Sequence, residues 1–214
     1  MPMLEDSDDS MEVIVVDDDE AVRDSLSLLL DSEGVNVRTM ASGDELLAAL
    51  DGLGHGVVLL DIRMPGTNGL EVLRVLGERA PDLVIIMITG HGDVPMAVRA
   101  MRLGAVDFIE KPFADNRILD AVRSASQTAS ERRSNAETRE RAQMLYERLT
   151  PREAEIMKLV AAGHPTKVIA ADLDISPRTV EIHRQRIIQK MEVRSLSQLV
   201  RLAIAADVDV NWAG

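Results

Sequence analysis

The sequence predicts an α/β domain followed by an all-α one. A doubly wound, five-stranded parallel sheet comes first, then a helical linker, then four small helices that include a helix-turn-helix. Three observations carry this reading. Five short, β-branched apolar runs alternate with stretches of helical period across the first 110 residues. Neither proline nor glycine occurs between Phe113 and Thr150. Beyond that stretch, helix start and stop signals recur at short intervals.

The five runs are Glu12–Val16, 35–39, 57–60, 83–88 and 106–109. Between them, Val22, Leu26, Leu29 and Leu30, and later Leu70, Leu73 and Leu76, keep spacings of three and four. Strands alternating with helices in this way form parallel sheets covered on both faces. The first, third and fourth runs are nearly continuous apolar stretches, as strands buried on both sides require. A fifth helix begins near Asp115. Its stripe of Ile118, Val122, Ala125 and Ala129 is interrupted at Arg132, yet good helix formers continue to Glu147. One extended helix of about 50 Å, at roughly 1.5 Å per residue, is favoured over a short helix with a frayed tether.

Thr150-Pro151-Arg152-Glu153 is a capping box with proline at the first helical position. Its helix buries Ile156, Leu159 and Val160 and stops near Gly163. A short helix over 167–173 carries Val168, Ile169 and Leu173. Ser176-Pro177 opens a third helix, and Ser195 with Gln198 caps a fourth. The boundaries read 11–127 for the α/β domain, 128–148 for the linker and 149–214 for the helical domain.

Charge separates the halves. Of the net −12, residues 1–148 carry −13 (28 acids, 15 bases) and residues 149–214 carry +1 (8 acids, 9 bases). Such asymmetry suggests domains with different partners. The chain has no cysteine, which removes disulfides, thiol catalysis and thiolate metal sites. With only Phe108, Phe113, Tyr146 and Trp212 as aromatics, it lacks a platform for stacking single-stranded nucleic acid. No apolar run approaches the roughly 18 residues of a membrane span, and the acidic start MPMLEDSDDS is unlike a secretory signal. A soluble, cytoplasmic protein with no membrane partner is expected.

In open parallel sheets, ligands sit beyond the carboxyl ends of the strands. The residues there are Asp17, Asp18 and Asp19 after the first run, Asp61 after the third, Thr89 after the fourth and Lys111-Pro112 after the fifth. Clustered carboxylates repel one another and so call for a divalent cation; Mg2+ suits hard oxygen donors beside phosphate. A carboxylate can also be the nucleophile that forms an acyl phosphate. Asp61 is placed for that attack, with Thr89 and Lys111 stabilising phosphoryl oxygens. Asp19 has a simpler use, capping the following helix. Asp17-Asp18-Asp19 also has the spacing of haloacid-dehalogenase-type phosphatases. That pattern wants Thr or Val where Ala21 stands, and it leaves Asp61 without a role. His91 could influence the approach of water or simply be solvated, and no histidine spacing indicates zinc.

Along the third C-terminal helix, Val180, Ile187 and Met191 form one stripe. Arg178, Glu181, Ile182, Gln185, Arg186 and Gln189 form another. Bases, amides, one acid and one aliphatic are the groups that read a DNA major groove, although a solvated amphipathic helix has the same composition.

VIVVDDDEAVRDSL, VVLLDIRMPGTNGLEVL, IIMITGHGDVPMAVRAM and GAVDFIEKPF resemble the receiver domains of two-component response regulators of the FixJ type. LTPREAEIMKLVAAG, KVIAADLDISPRTVEIHRQRIIQKM and SLSQLVRLAI resemble the LuxR-type helix-turn-helix domain. The resemblance implies a flavodoxin-like receiver in which Asp61 accepts a phosphoryl group from a sensor histidine kinase. It implies Mg2+ on Asp17, Asp18, Asp61 and the carbonyl of Arg63, and a cis Lys111-Pro112 peptide. Thr89 and Phe108 would be switch residues. Glu181, Ile182 and Gln185 would face bases, with Lys167, Thr179, His183, Arg186 and Lys190 on phosphates and Arg178 on the same face. The chain would then be a non-enzymatic transcriptional regulator, an activator that dimerises on phosphorylation and works with promoter DNA and RNA polymerase. The alternative is a phosphorelay intermediate whose helical domain docks a protein. The tail DVDVNWAG has no assigned role, though Trp212 could pack on the fourth helix.

Overall fold

The structure, a computed structural model, describes residues 12–90 and 94–208. His91, Trp212 and the acidic N-terminus lie outside the described residues. The chain divides into two compact units, one ending at Arg133 and the other beginning at Ser134.

The first unit alternates β1 (Glu12–Val16), α1 (Glu20–Ser32), β2 (Asn36–Met40), α2 (Gly43–Ala49), β3 (Gly56–Asp61), α3 (Gly69–Arg79), β4 (Leu83–Thr89), α4 (Val94–Arg102), β5 (Asp107–Glu110) and α5 (Asp115–Glu147). The strands form one parallel sheet in the order β2-β1-β3-β4-β5. Every residue of β3 and β4 is buried, so their unbroken apolar runs are explained by cover on both faces. The period of two assigns the faces. Ile14, Val16, Val58, Leu60, Ile85 and Met87 pack with Leu46, Val72, Leu73, Leu76 and Ala100 from α2, α3 and α4. Val13, Val15, Val57, Leu59, Val84 and Ile86 pack with Leu26, Leu30, Ile118 and Val122 from α1 and α5.

The second and fifth strands each begin one residue later than the sequence predicts. Val35 instead ends the turn out of α1, its N–H donating to Leu30 O at 3.1 Å. Val106 already donates to Ile85 O at 2.9 Å, extending the ladder by one bond before β5. Asp19 caps α1 as expected, accepting from Ala21 N at 2.9 Å.

α5 is one helix of 33 residues. Ile118, Ala121, Val122, Ala125 and Ala129 are buried in the first unit, and Ala142 and Leu145 in the second. Arg132, where the apolar stripe breaks, donates to the carbonyls of Pro81 and Leu83 at 3.3 and 3.4 Å.

The second unit adds α6 (Pro151–Ala161), α7 (Thr166–Asp172), α8 (Pro177–Lys190) and α9 (Leu196–Ala205). Both bonds of the Thr150–Glu153 capping box are present. Ile156, Met157, Val160, Ile169, Val180, Ile187, Met191, Leu199 and Ala203 close its core. The turn from α7 to α8 passes through Asp174 at φ 51°, a conformation that Asp tolerates better than most residues.

Gly69 shows how closely the sheet's active edge is packed. Its N–H donates to Ile62 O at 2.9 Å, and a Cβ there would collide with the carbonyl of Asp61 and lie 2.8 Å from Ile62 Cα. Because both neighbours are backbone, Gly69→Ala is expected to cost about 1–3 kcal/mol. Urea unfolding followed by far-UV circular dichroism measures it, and an unchanged midpoint would refute the contact.

Candidate functional site

The ends of β1, β3, β4 and β5 bring Asp17, Asp61, Thr89 and Lys111 to one edge of the sheet. Register does this. Val16 lies opposite Leu60, Asp61 opposite Ile88, and Thr89 opposite Glu110, so the residues at these strand ends are neighbours. Asp17 and Asp61 are buried, at 2% and 4% exposure. Lys111 Nζ donates to Asp17 Oδ2 and, at 2.8 Å, to Asp61 Oδ1. Asp61 Oδ2 accepts from Arg63 N at 2.6 Å, and Asp17 Oδ1 accepts from Asp19 N at 3.0 Å. Lys111 N donates to Thr89 O at 2.7 Å, and the Lys111-Pro112 peptide is cis.

Burial pushes the Asp17 carboxyl above the usual carboxylate range, although Lys111 and the Asp19 N–H oppose it. Burial also works against the Lys111 ammonium, but two carboxylates outweigh it and hold the amine's pKa above its ordinary value. Two buried carboxylates thus share one ammonium, leaving the site a unit negative and short of a cation.

Asp18 is exposed, and its carbonyl accepts from Arg23 at 3.1 Å. No group of three His, Cys, Asp or Glu side chains among the described residues forms a metal cage. Two hard carboxylates, a neighbouring exposed acid and a loop backbone suit a cation that keeps several waters, as Mg2+ does. Phe108 lies opposite Met87 on β5 and packs, half-buried, against the core beneath α3 and α4.

In the second unit, Arg178, Ile182, Gln185 and Arg186 are exposed along α8, while Val180, Ile187 and Met191 are buried as expected. Lys167 is exposed on α7. Thr179 Oγ1 stands 2.8 Å from Ser176 Oγ at the α8 cap. His183 is half-buried, with Nδ1 buried and lacking a hydrogen-bond partner among the described residues. Glu181 Oε1 accepts from Thr166 Oγ1 at 2.6 Å.

Lys190, the expected phosphate contact, has a partner within the unit. Its ammonium donates to Glu153 Oε2 at 2.6 Å, and Glu153 is 3% exposed. The four-carbon stem therefore reaches back to the start of α6, where the buried carboxylate needs a counter-charge. Arg184, which no sequence motif singles out, donates to Thr166 Oγ1 at 3.0 Å. Its position between the two stripes of α8 was the only available signal.

The family model for the response regulator receiver domain matches residues 13–123, and that for bacterial regulatory proteins of the luxR family matches residues 147–203. The chain is 44% identical to the transcriptional regulatory protein FixJ of Bradyrhizobium diazoefficiens, over 91% of this chain and 95% of that one. It is 42% identical to the response regulator protein TodT of Pseudomonas putida, over 92% and 86% of the two chains. Among solved structures, the response regulator StyR matches with a TM-score of 0.79 and 41% identity, covering 91% of this chain and 98% of that one. Full-length FixJ from B. japonicum matches with a TM-score of 0.57 and 44% identity, covering 92% and 97%.

The Glu153–Lys190 pair has a pH signature. Burial resists ionisation of Glu153, but Lys190 and the Thr150 N–H and hydroxyl prevail and lower its pKa from 4.5 to about 2. A depressed pKa gives stability that is present above the unfolded value and lost as pH falls through the folded one. The full shift corresponds to about 3 kcal/mol; the partly exposed Lys190 tempers it to about 2 kcal/mol. Glu153→Gln is expected to lower stability by that amount near neutrality, with the gap closing as pH falls from about 4.5 to about 2. Urea titrations across this range check it; a gap constant with pH would show that the pair contributes no ionic stabilisation.

Proposed function

The chain belongs to the two-component response regulators that join a receiver to a luxR-family DNA-binding domain, and from that premise we propose which residues carry each step. It is a phosphorylation-dependent transcriptional regulator of a two-component system, with a sensor kinase and DNA as partners. The observation that carries the residue-level reading is the sharing of the Lys111 ammonium by buried Asp17 and Asp61.

On this reading Asp61 is the phosphoacceptor. A carboxylate oxygen bonds to phosphorus as the phosphorus–nitrogen bond of the kinase's phosphohistidine breaks and the imidazole leaves. Asp17, Asp18, Asp61 and the carbonyl of Arg63 would hold Mg2+, which when bound neutralises charge on the phosphoryl oxygens. Lys111 exchanges one of its carboxylate contacts for a phosphoryl oxygen, and Thr89 contributes its hydroxyl. Movement of Thr89 repacks Phe108, altering the surface of α4, β5 and the start of α5 and favouring a homodimer. The receiver spans 11–127, the helical connection 128–148 and the DNA-binding domain 149–214. Within the last, Glu181, Ile182 and Gln185 face bases. Lys167, Thr179, His183 and Arg186 approach phosphates, and Arg178 extends that face. The regulator acts as an activator, bringing RNA polymerase to its promoters.

Two experiments test this reading. Asp61→Asn should abolish magnesium-dependent uptake of a base-labile phosphoryl group from a small acyl phosphate donor, since an amide is a poor nucleophile. Persistent labelling of that variant would displace Asp61 from its role.

Gln185→Ala should relax discrimination at one base pair by about 1–3 kcal/mol. Lys167→Ala should weaken all sequences alike and reduce the log–log salt slope by about 0.9. Titration of a base-substituted site library over a salt series separates the two, and uniform weakening by Gln185→Ala would remove its base-reading role.

A further inference from the structure

The hydrogen bonds around Glu181 have only one consistent direction. Arg184 carries donors and no acceptor, so Thr166 Oγ1 accepts from it at 3.0 Å. The single hydroxyl hydrogen of Thr166 is then left for Glu181 Oε1, 2.6 Å away. Arg184 also stands 3.9 Å from the same carboxylate oxygen. Oε2 of Glu181 has no hydrogen-bond partner among the described residues, and the side chain is 54% exposed. One oxygen is held and the other is offered.

The anchor of this relay is itself confined. Arg184 is 31% exposed, and it lines a cavity of about 70 Å3 with Val160, Ile187 and Leu199 from α6, α8 and α9. Its guanidinium is thus carried on packed structure to α7, where Thr166 is the first residue. An unrestrained glutamate would lose rotamer freedom when it engaged a base, at a cost to affinity.

We propose that Thr166 and Arg184 are positioning residues that hold Glu181 so that its second carboxylate oxygen accepts from the exocyclic amine of a cytosine. The proposal rests on the reading of α8 as the base-reading helix, and it adds a specificity determinant on α7. Carboxylates accept from cytosine N4 in the major groove and repel guanine O6 and N7, which are acceptors. A preset Glu181 therefore sharpens discrimination rather than general affinity.

The test uses the full chain, phosphorylated with a small donor, and a duplex site selected from a randomised pool together with its single-base variants. Glu181→Ala should lose about 5–150-fold of discrimination at one base pair. Thr166→Val keeps the shape but removes the hydroxyl, and should lose about three- to tenfold at that same base pair. Thr166→Ser should restore the loss, and Arg184→Gln should reproduce it. Affinity for non-specific duplex and its salt dependence should not change in the Thr166 variants, whereas a role confined to fixing the angle between α7 and α8 would weaken every sequence alike. Uniform weakening by Thr166→Val, or no effect while Glu181→Ala does relax a position, overturns the positioning role and leaves base reading intact. If Glu181→Ala relaxes no position, base reading by Glu181 and the relay built on it both fall.

Discussion

Burying Asp17 and Asp61 beside one ammonium is the constraint on which the first unit turns. Burial alone would favour protonation of Asp17, and Lys111 offsets only part of this. The arrangement holds because both acids and the lysine sit on strand ends whose register is set by a ladder buried on both faces. Asp61 cannot retreat, since its carbonyl lies against Gly69 and its Oδ2 is tied to the Arg63 N–H. Lys111 is fixed through its own N–H to Thr89 O. A rigid scaffold thus holds two buried carboxylates against one ammonium, where a further positive or electrophilic group would restore the balance.

The second unit contains a superficially similar pair with a different balance. Glu153 is as buried as Asp17, but it meets one lysine, one N–H and one hydroxyl, and its carboxyl is driven down instead of up. With charge matched one to one, nothing further is demanded of the site, and the pair fastens the end of α8 to the start of α6. Counting acids against bases within hydrogen-bond reach therefore separates a carboxylate left with unmatched charge from one that is paired one to one, where burial alone does not.

Much of this was legible in the sequence because it depends on local pattern. Unbroken apolar runs gave away strands covered on both faces, and the capping box at Thr150 marked the start of α6. Asp17, Asp61, Thr89 and Lys111 could be brought together because strand ends in a parallel sheet share one edge. The partners of long side chains were not legible. Lys190 looked free for phosphate, but its ammonium reaches a residue 37 positions away. Nothing in the chain's linear order joins Arg184 to Thr166, 18 positions earlier. Even strand starts at Val35 and Val106 were blurred, because an apolar β-branched residue fits the turn before a strand as well as the strand itself.

These pairings bear on how the DNA-binding unit can work. Residues 149–214 have nine bases against eight acids, and Lys190 and Arg184 are engaged within the unit. Around α7 and α8 this leaves Lys167, Arg178 and Arg186 exposed. Each phosphate contact contributes about 0.9 to the salt slope, so three such cations supply a slope of only about 2.7. On the proposed reading, one such unit discriminates bases well but holds DNA weakly. Two linked units gain the effective concentration of an intramolecular second contact without any new cation. A protein built this way is poorly suited to control by altering single-site affinity and well suited to control by assembly. On the proposed reading, the regulatory burden then falls on the receiver face that would repack when Asp61 is phosphorylated, and an acidic receiver can be joined to a nearly neutral DNA-binding domain.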